Sequence, residues 1–212
     1  MSKHIANLIS QGEHQQLDFK HSISDSKKIA RSLAAFANTA GGTLLIGVKD
    51  NGNVSGVNSD EEFYMLEGAA QMYCKPEVKF KITHWEINGK IVLEVYVKHD
   101  PKNLYKAPDK GGKWKAYFRL DDENMVATPL QVKIWKAIRY RKAVQLSLTA
   151  QDNTLLDFIR TKQMVTVEQC GRAAFMSYAE AEKRLVNLVV LGVVDFKSTH
   201  EGDFFEVTKE VD

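Results

Sequence analysis

The sequence is poor in residues that staple or interrupt a chain, with two cysteines and four prolines among 212 residues. Cys74 and Cys170 lie too far apart in sequence for a disulfide framework or a zinc motif, and they read as reduced, buried thiols. Long hydrophobic runs are missing too. The longest, 44–48 and 188–194, fall short of the roughly 18 to 20 residues that a membrane span needs. The polar stretch 1–12 lacks the apolar segment of a secretory signal, so a cytoplasmic location is expected. An excess of one charge is also absent. Lys and Arg number 29 against 27 Asp and Glu, a net +2 that is no argument for a polyanion partner, so local clusters must decide.

What is present suits a folded chain. Hydrophobic residues make up 44% and charged residues 26%, enough to bury a core. The length fits one domain of ordinary size and a small second one. Residues 15–20 read as a strand, and Ser24 is the expected N-cap of a helix with apolar face Ile29, Leu33 and Phe36. Gly41-Gly42 ends that helix. The nearly unbroken apolar run 43–48 is a buried strand leaving through the turn Asp50-Asn51-Gly52-Asn53. Residues 60–74 look helical, and 78–87 and 91–97 flank Asn88-Gly89, a type I′ hairpin signal. A strand over 113–120 precedes Thr128-Pro129, which opens a helix with proline at its first position that runs to about residue 142. The fold class is α+β with a mixed sheet.

Beyond residue 144 the pattern becomes helix, helix, helix, hairpin: 150–162, 166–176, 178–191, then two strands around Glu201-Gly202-Asp203. That is the winged helix-turn-helix order, and it sets expected domains of 1–144 and 145–212. The third helix has a capping box, Ser177-Tyr178-Ala179-Glu180, and a glycine stop at Gly192.

Several motifs stand together in the first domain. They are Glu13 with Leu17-Asp18-Phe19-Lys20, then Ala35-Phe36-Ala37-Asn38-Thr39-Ala40-Gly41-Gly42-Thr43-Leu44-Leu45-Ile46-Gly47-Val48-Lys49-Asp50, then Gly52 and Ser55-Gly56-Val57. Gly111-Gly112-Lys113, Tyr117-Phe118-Arg119 and Asn124 continue the set. Together they resemble the Schlafen-type AlbA family over about residues 10 to 140. The resemblance implies a DNA-binding domain, to which ATP binding is sometimes attributed. The family occurs in bacterial regulators, often ahead of a helix-turn-helix, and in Schlafen proteins, some of which cleave RNA. In the nuclease members three acidic residues bind divalent metal, and the pattern carries them onto Glu13, Asp18 and Asp50 as a catalytic and metal-binding trio. Hard oxygen ligands suit Mg²⁺ or Mn²⁺. Asp18 stands where glutamate is common in the family, and Leu120-Asp121-Asp122 follows Arg119 where glycine is usual.

The same residues have plainer readings. Asp50 starts a turn, Glu13 is a surface charge, and Asp18 pairs with Lys20 or Arg119. Asn38 either bonds local backbone or touches a ligand. Basic residues form three groups: Lys20, Lys27, Lys28 and Arg31; Lys102, Lys106, Lys110, Lys113 and Lys115 with Arg119; and Lys133, Lys136, Arg139, Arg141 and Lys142. With aromatic neighbours Tyr105, Trp114, Tyr117, Trp135 and Tyr140 they suit phosphate contacts and base stacking, although basic faces are often only solvated. The segment 102–115, with Pro108 and Gly111-Gly112, is expected to be a mobile arm.

The third helix of the second domain carries Glu180, Glu182, Lys183, Arg184 and Asn187, poor electrostatics for a phosphate backbone. Arg184 and Asn187 are the base-contacting positions if it reads DNA; otherwise the domain serves dimerisation. Three functions follow in order of support. The first is a DNA-binding transcriptional regulator, the best fit to the basic groups and the family, with DNA or RNA as its expected partner and a homo-oligomer as its expected state. The second is a metal-dependent ribonuclease. The third is a nucleotide (ATP) switch with Gly41-Gly42 cradling a phosphate.

Overall fold

The computed structural model describes residues 3–140 and 149–208, and its packing divides between Ala127 and Thr128 into two compact units. In the first, α1 (Lys3–Gln11) precedes β1 (Leu17–Lys20), α2 (Ser26–Asn38), β2 (Gly42–Ile46) and α3 (Ser59–Met72). Then come the hairpin β3 (Phe80–Ile87) and β4 (Lys90–Val97), and the short strands β5 (Lys106–Pro108), β6 (Trp114–Leu120) and β7 (Glu123–Val126). One sheet has the order β1-β2-β4-β3, with β1 parallel to β2 and the other pairs antiparallel. The second is β5-β6-β7, antiparallel throughout. The unit is therefore α+β with a mixed sheet.

Strand alternation explains the layers. On β2, Leu44 and Ile46 join the core built on α2, while Leu45 points the other way with Leu17, Phe19 and Val92. That second face is covered by α1, whose Ile5 is fully buried. Helix α2 packs against α3 and against β5 and β6, and every residue from Ser32 to Asn38 is buried. Its N-cap is Asp25, which accepts from the Lys27 N–H, one residue later than the Ser24 expected. Gly41, at φ +73°, is the left-handed exit; a Cβ there would lie 2.9 Å from the His99 nitrogen and the Val97 oxygen. Asn88 and Gly89 both take positive φ, as a type I′ turn requires.

The segment 102–115 is not a free arm. Strands β5 and β6 pair through it, and the Asp109 carboxylate accepts from the Gly111 and Lys113 N–H groups, closing a tight turn.

In the second unit, α4 (Pro129–Arg139) is followed by α5 (Ala150–Lys162), α6 (Val167–Ala173), α7 (Tyr178–Val190) and the hairpin β8 (Val194–Thr199) and β9 (Gly202–Val207). Val165 adds a bridge to Phe205. Three capping boxes, at Thr149, Thr166 and Ser177, start α5, α6 and α7. The division at 127/128 differs from the expected 144/145 because Leu130 and Ile134 of α4 pack with Leu155, Ile159, Leu185 and Phe205. Arg141, Lys142 and the expected boundary at 144/145 lie outside the described residues.

Candidate nucleic-acid interface

Two sets of charged residues in the first unit behave in opposite ways, one turned inward and one outward. The inward set gathers at Asp18, the residue on β1 that alternation points away from Leu17 and Phe19. Its carboxylate is buried, accepting from Lys20 Nζ at 2.9 Å and from Ser32 Oγ at 3.4 Å, with an Arg119 guanidinium nitrogen at 3.3 Å. Arg119 is only 2% exposed. It also donates to the carbonyls of Leu17 and His14 and to Asn124 Oδ1, and lies over the Phe36 ring. Its Nε is buried and meets no acceptor among the described residues. Glu13 takes the Phe19 N–H at 2.8 Å and sits 3.9 Å from Lys20 Nζ. Burial and a hydrogen bond shared with Asp18 hold the Glu13 carboxyl above its ordinary pKa.

This arrangement corrects two expectations. Arg119 is no phosphate contact, because its guanidinium is spent inside the fold tying β6 to β1. The trio of Glu13, Asp18 and Asp50 is not assembled: Glu13 and Asp18 meet, whereas Asp50 stays exposed in its turn beyond β2. Among the described residues no three His, Cys, Asp or Glu side chains are placed to hold a metal. Asp18 is moreover already neutralised by two cations, so the donor set does not fit Mg²⁺ or Mn²⁺. Gly41-Gly42 is no phosphate cradle either. A Cβ on Gly42 would lie 2.4 Å from the Phe36 ring, so protein already fills the space beside the glycines.

Asn38 resolves in favour of backbone bonding, though not within its helix. Buried at the end of α2, it donates to the carbonyls of Tyr105 and Tyr117 at 2.8 Å each and accepts from the Tyr105 N–H at 2.9 Å. Tyr105 in turn donates its hydroxyl to Asp100 at 2.7 Å. Burial alone would raise the Asp100 carboxyl, but hydrogen bonds from Tyr105, Asn103 and the Lys102 N–H outweigh it and hold the pKa at about 2.

The outward set surrounds the β5–β6 hairpin that these bonds anchor. Lys110, Lys113 and Lys115 are exposed at its end. Arg31, half-buried on α2, donates Nε to the Pro108 carbonyl at 2.8 Å, which places the basic first half of α2 beside the hairpin. Lys27 is exposed there, with its ammonium 5.7 Å from the Tyr73 ring centroid. None of Lys27, Lys110, Lys113 and Lys115 is held in an ion pair among the described residues. Lys20, by contrast, is committed to the carboxylates of the buried set. Sequence reasoning missed Lys75, whose backbone pairs with Lys106 and whose ammonium lies 4.2 Å over the Trp114 ring. A lone lysine between Cys74 and Pro76 carries no local signal of this.

In the second unit, Arg184 is engaged within its own unit. It donates to Asp152 at 2.6 Å and to Thr149 and Gln151, clasping the start of α5. Asn187 is half-buried on α7, and Lys133 of α4 pairs with Glu182.

No curated protein matches this sequence. Among solved structures, the chain is similar to the DIP2311 protein of Corynebacterium diphtheriae at 17% identity and a TM-score of 0.46; the match covers 92% of this chain but only 34% of that one. It is also similar to the N-terminal domain of a RecG-related protein of Nitrosomonas europaea, at 19% identity and a TM-score of 0.40, over 69% of this chain and 95% of that one. The Schlafen AlbA_2 family model matches residues 13–128, from Glu13 of the buried set through the last strand of the first unit, which is more than half of the sequence, and the chain belongs to that family.

Proposed function

We propose that the chain binds nucleic acid through the cationic rim formed by Lys27, Lys110, Lys113 and Lys115, and that it acts as a DNA-binding transcriptional regulator. The observation that carries the reading is the division of labour among the charges. The cations beside carboxylates are consumed inside the fold, while Lys27, Lys110, Lys113 and Lys115 stay exposed with no ion pair among the described residues. Such residues release counterions when they meet phosphates. The rim also sits on a rigid support, since Asn38 and Arg31 fix the hairpin on α2 and Asp109 closes its turn.

The second unit is read as a winged helix that makes protein contacts and pairs two copies. The order of α5, α6 and α7 followed by the β8–β9 hairpin supports the assignment. The capture of Arg184 by α5, and Glu180 and Glu182 on α7, argue against reading bases through that helix. Sedimentation velocity is expected to show a dimer; a strict monomer at micromolar concentration removes that part.

The direct test is binding of a labelled duplex over a range of salt. Affinity is expected to fall steeply with salt, with a logarithmic slope of about 0.9 per phosphate contacted. Reversing Lys110, Lys113 and Lys115 to Glu should lower both the affinity and the slope. Equal binding by the reversed variant would remove the rim from the interface.

A further inference from the structure

We infer that the rim prefers single-stranded nucleic acid, with Trp114 as a stacking platform for an unpaired base and Lys75 as the lid that covers it in the free protein. The inference rests on the nucleic-acid reading above and narrows its substrate class. Trp114 opens β6 opposite Pro108 and is half-buried. Alternation along β6 sets it on the face of the three-stranded sheet opposite Tyr117, which belongs to the α2 core. The Trp114 ring therefore does not serve that core, and its contact is the Lys75 ammonium at 4.2 Å. Lys75 reaches it because its backbone pairs with Lys106 at the outer side of β5.

A second ring also lies beneath a lysine, although this one packs in part against the α2 core. Tyr73, two residues before Lys75, lies beneath the Lys27 ammonium at 5.7 Å. Two aromatic rings, each capped by an exposed lysine, thus flank the hairpin that carries Lys110, Lys113 and Lys115. An exposed ammonium over a ring is weakly held, whereas a base stacked on the same ring is held more strongly. An arriving strand can exchange one for the other: the base takes the ring, and the released ammonium meets the adjoining phosphate. A duplex cannot make this exchange, because its bases are already paired and stacked.

The test uses the full chain with two labelled probes, an oligothymidylate and a hairpin duplex of matched length, followed by anisotropy and tryptophan emission. The oligothymidylate is expected to bind more tightly and to quench emission. In Trp114→Leu the ratio of single-strand to duplex affinity should fall about tenfold. Trp114→Phe should keep most of the ratio while losing the quench, and an unchanged thermal midpoint shows that both variants are folded. Duplex binding equal to or tighter than single-strand binding, or a ratio unmoved by Trp114→Leu, overturns the stacking inference and leaves the rim intact. Binding of neither probe by the wild type overturns both.

Discussion

At the residue scale, the decisive side chain is Arg119. A guanidinium that pairs with a buried carboxylate and ties three backbone or side-chain oxygens in place cannot be removed cheaply, because Asp18 would be left with only the half-exposed Lys20 as counter-charge and those oxygens would lose their donor. Arg119→Ala is expected to cost about 3 to 5 kcal/mol in chemical denaturation. Lysine should not restore it, lacking the planar fork that spans several acceptors. A small loss would mean that the buried set is not the tie it resembles. Asp100 supplies the pH dependence. Its carboxyl sits at about 2, below the ordinary 3.8, so its contribution is present above about pH 4 and is lost as the pH falls toward 2. The stability gap between wild type and Asp100→Asn should accordingly narrow between pH 6 and pH 2, and a constant gap would refute the assignment. Both thiols are buried, and burial pushes each up to about 12, so neither should react with a maleimide until the protein unfolds.

At the element scale, the hairpin that presents the rim depends on α2. Asn38→Ala removes three hydrogen bonds and leaves the Tyr105 and Tyr117 backbone groups buried without that partner. A loss of about 2 to 4 kcal/mol is expected by denaturant titration, with weakened nucleic-acid binding as the hairpin loosens. Legibility in the sequence followed how local each signal was. The Asn88-Gly89 turn, the proline start of α4 and the capping box at Ser177 were readable because each is specified within a few residues. Strand β5 was not, because three residues ending in Pro108 become a strand only by pairing with β6. Helix α1 was passed over although Ile5, Leu8 and Ile9 have helical spacing; their burial against the sheet shows the signal was there.

At the scale of the whole molecule, the packing division at 127/128 makes a prediction about fragments. A piece beginning at Thr128 keeps Leu130 and Ile134 in the second core, while one beginning at residue 145 loses both. Burying each side chain is worth about 1.5 to 3 kcal/mol, so the shorter piece should melt lower and less cooperatively in calorimetry. Equal melting would return α4 to the first unit. By itself the sequence determined the α+β class, the longer helices and strands and the family motifs, since hydrophobic period, turn residues and caps act over short spans of chain. Only the tertiary structure decided that Arg119 faces inward, that Asp50 stands apart from Glu13 and Asp18, and that Lys75 covers Trp114. Those outcomes depend on which strands pair and which face of each is buried, and residues far apart in sequence settle that together.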